Sequence, residues 1–414
     1  MVETQEVSSV SNPIRAVKDA GAALYNAAYD HISNTSAAQL ALEGVALGAG
    51  GLAVARVGRS LLAKDAAKLT DQLPEFGISM LPANRSAAGV NLRLGMTDSG
   101  IQRAVTVHLP PGFDPNKSTS MYYLLDGVQV GKPAGNMSGI NGWGATADAF
   151  SAKATGQMVT VSVEQAVESA PKIYGIPIPG SIFGKPIPKL SSWNFDHGFL
   201  NKQSGFNDVD FVSRVVDRSQ RTARVEGNYL VGFSDGGLLA HDVAATMRTG
   251  SIDGVATVAS TMLKDSKLMP QPGVRGIFIN MKDDPTVPLA GGAGPKLSKY
   301  LVLAGHKNIL QSSPRLQELR YAEANGIKTA PAAADGVVAQ AREYFLSPAD
   351  TAKVKAFTIT KPGAGHTWPG RAAGDGTSTS FTKTNGGIVS KEEFSANDVI
   401  VRFFEEGKKI QRRL

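Results

Sequence analysis

The chain contains no cysteine. That excludes disulfides, thiolate metal sites and a cysteine nucleophile in one step. It suits a reducing compartment, and a cysteine-free secreted protein equally well, so the compartment stays open. Charge is sparse as well: charged residues are 19% of the chain against 42% hydrophobic ones, a globular balance. The net charge is +7, yet the basic residues form no stripe, and the one dense run is Lys408 to Arg413. Nucleic-acid binding calls for such a stripe, so no nucleic-acid partner is expected. Long apolar runs are missing too. The uncharged stretch from Gly44 to Ala55 is bracketed by Glu43 and Arg56, well short of the roughly 20 residues a bilayer span needs. The opening Met1-Val2-Glu3-Thr4-Gln5-Glu6 is acidic where a secretory signal is basic, so no signal peptide is expected.

What is present falls into unequal parts. Residues 1–87 are Ala-rich with helical spacing: Asn12-Pro13 starts a helix, and Ile14, Val17, Leu24 and Ala28 share one face. They read as a helical N-terminal extension, packed as a hairpin, with a membrane or protein partner as the lesser alternative. Residues 88–409 carry short β-rich runs separated by Gly/Pro turns, and 410–414 form a basic tail. The expected strands are Arg103–Leu109, Met121–Leu125, Met158–Val163, Asn228–Val231, Val255–Ala259, Arg275–Asn280 and Val354–Thr360. Helical patterns between the later ones imply a mostly parallel sheet flanked by helices, the α/β class. The Ile-Pro units between Pro171 and Pro188 cannot form a central strand and read as an extended loop.

The chemistry concentrates at Gly232-Phe233-Ser234-Asp235-Gly236-Gly237, between the apolar run Tyr229-Leu230-Val231 and the helical stretch Leu238–Met247. A strand-to-helix turn this tight needs glycine at the crowded flanks and leaves the serine hydroxyl exposed above the sheet. The pattern makes Ser234 a nucleophile and aims the Asp235 N–H at a developing oxyanion. A serine needs a histidine base, itself oriented by a carboxylate downstream of the serine. Of the six histidines only His306 and His366 lie far enough along. His306 follows the helical pattern Leu297–Ala304, whereas His366 sits in the glycine-framed Gly363-Ala364-Gly365-His366-Thr367-Trp368-Pro369-Gly370, just past a strand, and is the better base. Asp283 and Asp284 end the run Ile277-Phe278-Ile279-Asn280, at the strand end where such folds place their sites. Pattern does not separate the two, and Asp253 and Asp265 are spares. Tyr122-Tyr123-Leu124-Leu125-Asp126-Gly127-Val128 supplies a second oxyanion donor, the Val128 N–H. Trp143, Trp193 and Trp368 are candidates for the walls of a substrate cleft, with ordinary packing as the alternative. No metal and no cofactor is implied.

These blocks resemble bacterial polyhydroxybutyrate depolymerases and the related feruloyl and acetyl-xylan esterases. The likeness runs from Ser99-Gly100-Ile101-Gln102-Arg103 through Leu109-Pro110-Pro111-Gly112-Phe113-Asp114-Pro115. It continues over Ser192-Trp193, Asn207-Asp208-Val209-Asp210-Phe211, the serine elbow, Asp284-Pro285-Thr286-Val287-Pro288 and Asn325-Gly326. It closes on His366-Thr367-Trp368-Pro369-Gly370, Phe394-Ser395-Ala396-Asn397-Asp398 and Phe403-Phe404. The resemblance implies an α/β-hydrolase fold and a serine esterase acting on a small or polymeric ester, and it selects Asp284 as the acid. It would also imply secretion. Two departures stand out: Asp126-Gly127 replaces the family's usual His-Gly and is more like secreted mycolyltransferases, and Ser192 and Ile327 stand where the family often has cysteines. Acyl transfer to a hydroxyl, or a non-catalytic protein keeping the fold, are the alternatives.

Overall fold

The computed structural model describes residues 89–411 apart from several intervals, chiefly 131–141, 196–205, 295–310 and 371–388. The expected helical extension, the Leu297–Ala304 helix and His306 lie outside the described residues.

Ten strands form one sheet, in the order β1-β2-β4-β3-β5-β6-β7-β10-β9-β8. They are β1 (Val90–Asp98), β2 (Ile101–Leu109), β3 (Thr119–Leu125), β4 (Gln157–Val163) and β5 (Val225–Phe233). Then come β6 (Gly254–Val258), β7 (Arg275–Met281), β8 (Ala332–Asp335), β9 (Ala339–Tyr344) and β10 (Val354–Ile359). The six inner strands from β4 to β10 are parallel, and antiparallel pairs close both edges. Every expected strand is present. Parallel strands are covered on both faces, so they need unbroken apolar runs rather than alternation. Accordingly β3, β4, β6 and β7 are buried along their whole length.

Successive side chains point to opposite faces, and the core divides accordingly. Tyr123, Leu125 and Leu230 pack with α2 (Asp208–Ser219) and α3 (Asp235–Thr246), and Phe278 with Tyr321 of α4 (Pro314–Ala324). Tyr122, Leu124, Tyr229 and Val231 face α1 (Trp143–Lys153) and α5 (Ala396–Gln411), where Phe404 stacks on Tyr229 at 4.3 Å. Helix starts follow their capping residues: Asn207 Oδ1 accepts from Val209 N at 3.0 Å before α2, and Ser313 Oγ from Leu316 N at 3.3 Å before α4, with Pro314 opening the helix. Helix α5 runs to Gln411, so the first two residues set apart as a basic tail continue it. Its Lys408 ammonium contacts Ser120 of β3 and Glu405, tying the last turns of the helix to the sheet. The Ile-Pro segment contains two short antiparallel pairs, 172–173 with 176–177 and 181–182 with 185–186, outside the main sheet. Among the described residues no helix is long and apolar enough to cross a membrane.

His241, on the buried face of α3, meets the Tyr321 hydroxyl at 2.8 Å, with the Phe278 ring tilted 6.1 Å away. Complete burial, with the charge of Arg320 adding to it, holds its pKa down to about 3 from an ordinary 6.5. The folded imidazole therefore stays neutral while the unfolded one takes a proton below 6.5. Stability from this site is full above that pH and declines toward pH 3, by up to about 1.4 kcal/mol per pH unit. Urea midpoints should fall between pH 7 and pH 5 in the native chain. His241→Gln should remove most of that slope, and an unchanged slope would place the acid sensitivity elsewhere.

Candidate functional site

The serine elbow forms where β5 meets α3. Ser234 has φ 52° and ψ −119°, a strained conformation for a residue with a Cβ. The chain crosses itself so closely that a side chain at Gly232 would strike the Gly236 backbone, and one at Gly236 the carbonyls of Leu125 and Asp126. Ser234 N donates to Val258 O of β6 at 3.0 Å, tying the turn to the neighbouring strand.

Three distant stretches meet there. His366 Nε2 lies 2.9 Å from Ser234 Oγ, and His366 Nδ1 lies 2.8 Å from Asp284 Oδ2. A carboxylate only accepts, so Nδ1 donates to Asp284 and Nε2 is left to accept the serine proton. Asp284 Oδ1 accepts from Thr286 N at 2.7 Å and Val287 N at 2.9 Å, in the turn that Pro285 and Pro288 bound. The side chains of His366 and Asp284 are only 5% and 1% exposed, so little water competes for these bonds. Phe233 packs its ring 5.2 Å from the imidazole.

The adjacent aspartates divide the work. Asp283 turns from the imidazole and accepts the N–H groups of Gly363, in a short contact, and of Gly365 at 3.0 Å. It holds the loop that carries His366, a role that only the neighbouring pair of carboxylates hinted at in the sequence. Asp253 is bonded to Asn228 N, and Asp265 is exposed. Asp235 opens α3 directly after Ser234, at the helix end whose first N–H groups have no acceptor within the helix. Val128 lies outside the described residues, but its neighbour Gly127 stands against Ser234: a Cβ there would sit 3.0 Å from Ser234 Cβ.

The tryptophans do not line an open cleft. Trp143 and Trp193 have no exposed surface and Trp368 has 4%. Trp143 and Trp368 pack edge to face, with Trp368 also against Phe233, and the Trp368 indole donates to Asn397 at 2.9 Å. Large rings supply the most apolar area to a core, and here that gain wins over exposure. A polar cavity of about 880 Å³ opens beside α2 and α3, lined in part by Asp210, Asp217, Asp242 and Arg248, none of which belongs to the serine site.

A mostly parallel sheet, a strained serine elbow at its centre, and a carboxylate and a histidine beyond the ends of later strands define the α/β-hydrolase fold. No protein-family model matches the chain. It is 30% identical over 171 residues to the proposed esterase NocK of Nocardia uniformis subsp. tsuyamanensis, a match covering 39% of this chain and 49% of that protein. The chain thus spans about half the length of the curated relative it matches. Among solved structures it is similar to an acetyl xylan esterase from Aspergillus awamori, with TM-score 0.38 and 8% identity over 66% of this chain and 93% of that one. It is also similar to the poly(3-hydroxybutyrate) depolymerase LpqC from Bordetella parapertussis, with TM-score 0.31 and 12% identity over 60% and 86%.

Proposed function

We propose that the chain is a serine carboxylic-ester hydrolase that works through an acyl-enzyme on Ser234. The observation that carries the reading is the hydrogen-bonded series Asp284–His366–Ser234 at a strained elbow. His366 Nε2 takes the hydroxyl proton as Ser234 Oγ bonds to the ester carbonyl carbon. The N–H groups of Asp235 and Val128 receive the negative oxygen. The histidine then passes its proton to the departing alcohol oxygen as the carbon–oxygen bond breaks. Water, deprotonated by the same nitrogen, releases the acid and restores the serine. Asp284 keeps the imidazole in the tautomer this requires. A small or polymeric ester of the polyhydroxybutyrate or feruloyl type is the substrate class that the sequence resemblance favours.

Short-chain nitrophenyl esters should be hydrolysed and a fluorophosphonate should label Ser234; a chain that does neither is not a serine esterase. One feature favours a second reading, acyl transfer to a hydroxyl: the mycolyltransferase-like Asp126-Gly127. Ester products formed with added alcohol acceptors would decide for it.

The role of Asp283 gives a further expectation. Asp283→Ala frees Gly363 and Gly365 while leaving all three members of the series in place. Misplacing a reacting group by about 1 Å costs on the order of a hundredfold, so kcat should fall by about that factor with KM little changed. Steady-state kinetics checks this, and an unaltered kcat would mean the histidine loop is held by other contacts.

A further inference from the structure

We propose that Gln165 and Trp193 are positioning residues for the oxyanion side of the site, gripping the Asp126–Gly127 segment and fixing it against Ser234. The proposal rests on the esterase reading above and adds to it what holds the end of β3 against the serine.

The two residues reach the same short stretch from different parts of the chain. The Trp193 indole N–H donates to Asp126 O at 2.6 Å. The Gln165 side-chain amide, just past β4, donates to Gly127 O at 2.9 Å and to Asp126 O at 3.4 Å. Asp126 Oδ1 accepts from Gly127 N at 2.8 Å, so that N–H is held by its own neighbour. Two successive carbonyls and the N–H between them thus have assigned partners. Fixing Asp126 O and Gly127 O together holds Gly127 in contact with the elbow, where a Cβ on it would sit 3.0 Å from Ser234 Cβ.

The grip is linked to the other oxyanion donor. Trp193 N donates to Asp235 Oδ2 at 3.3 Å, so one residue touches both segments that flank the serine. The next residue, Asn194, donates its N–H to Asp208 Oδ2 at 2.5 Å, and Asp208 is paired with Arg103 inside the core. Trp193 is thereby anchored on the rigid start of α2. All these groups are buried: Asp126 is 6%, Gln165 5% and Asp235 4% exposed.

Gln165 Oε1 has no hydrogen-bond partner among the described residues. An apolar side chain of similar volume would remove that unpaired oxygen and would also take the donor from Gly127 O, so the two effects on stability oppose each other. The retained amide N–H groups act on Asp126 and Gly127.

The test uses Gln165→Met and Trp193→Phe in the full chain. Each keeps most of the buried volume and removes the donor. We expect kcat for a nitrophenyl ester to fall about ten- to a hundredfold, as for other supporting residues, while KM stays within about a factor of two, since ground-state binding is untouched. Phenylboronic acid adds to a serine as a tetrahedral anion, so its Ki should rise by the factor by which kcat/KM falls. The denaturation midpoint of Gln165→Met should change little, since losing the unpaired oxygen offsets losing the bond to Gly127 O. A purely structural role gives the reverse: lower midpoints, with kcat per folded molecule and boronate Ki unchanged. That result overturns the proposal. Gln165→Met carries the decision if Trp193→Phe does not fold. If the native protein neither hydrolyses esters nor binds the boronate, the esterase reading fails and this proposal with it. If the native protein is active and both variants equal it, only the positioning role falls.

Discussion

Ser234→Ala should lose at least about a thousandfold in the hydrolysis of short-chain nitrophenyl esters, the order that removing a triad nucleophile costs. The substitution deletes one oxygen, which accepts nothing from the core and meets only His366 Nε2 in the hydrogen bonds described. The elbow stays strained, because alanine carries the same Cβ at φ 52°. Its tie to β6 runs through the main chain and is kept. Thermal and denaturant midpoints should therefore match the native protein, which separates a chemical loss from a folding loss. Residual activity is expected, because the Asp235 N–H and the imidazole are still present to polarise the ester and a water. Equal rates in both proteins would place the nucleophile at another residue and end the reading of the elbow as a catalytic turn.

The largest stability effect is expected at the carboxylate that anchors the start of α2. Asp208 and Arg103 pair at 2.5 Å with neither side chain exposed, and the guanidinium lies 4.0 Å over the Phe211 ring. Removing one member of a buried pair costs about 3–5 kcal/mol, because the remaining charge keeps its desolvation penalty and loses its counter-charge. Asp208→Ala should show that loss in a urea titration, with an additional cost from the Asn194 N–H that it also binds. The double variant Arg103→Met, Asp208→Leu should recover much of it, since no charge is then left in the core. If the double variant is as unstable as the single one, packing at this position outweighs electrostatics. The single variant should also weaken catalysis per folded molecule, since Asn194 carries Trp193.

Legibility in the sequence followed the range of the forces involved. The inner strands were readable because a parallel strand covered on both faces must be apolar throughout, as Met121–Leu125 and Ile277–Ile279 are. The edge strand β8, Ala-Ala-Ala-Asp, is wholly exposed and has no strand-like composition. It forms because β9 offers it a ladder. The elbow was readable because part of its steric demand is local, a side chain at Gly232 meeting the backbone of Gly236 and Gly237. The three tryptophans went the other way: residue type alone does not tell a cleft wall from a core, and Trp143, Trp193 and Trp368 are buried by helices and loops far along the chain.

By itself the sequence determined that a serine would stand at a tight turn between a buried strand and a helix, with a glycine-framed histidine and a pair of aspartates downstream. Each of those features is a local consequence of side-chain volume and backbone freedom. The family resemblance already selected Asp284 as the acid, but only the tertiary structure showed that Asp283 holds the loop that carries the imidazole. It alone brought Gln165 and Trp193 under Gly127. Hydrogen bonds are directional and short, so what Asp283 and Gln165 reach depends on how distant strands are set side by side, as β7 and β10 are, and the residues around each do not specify that.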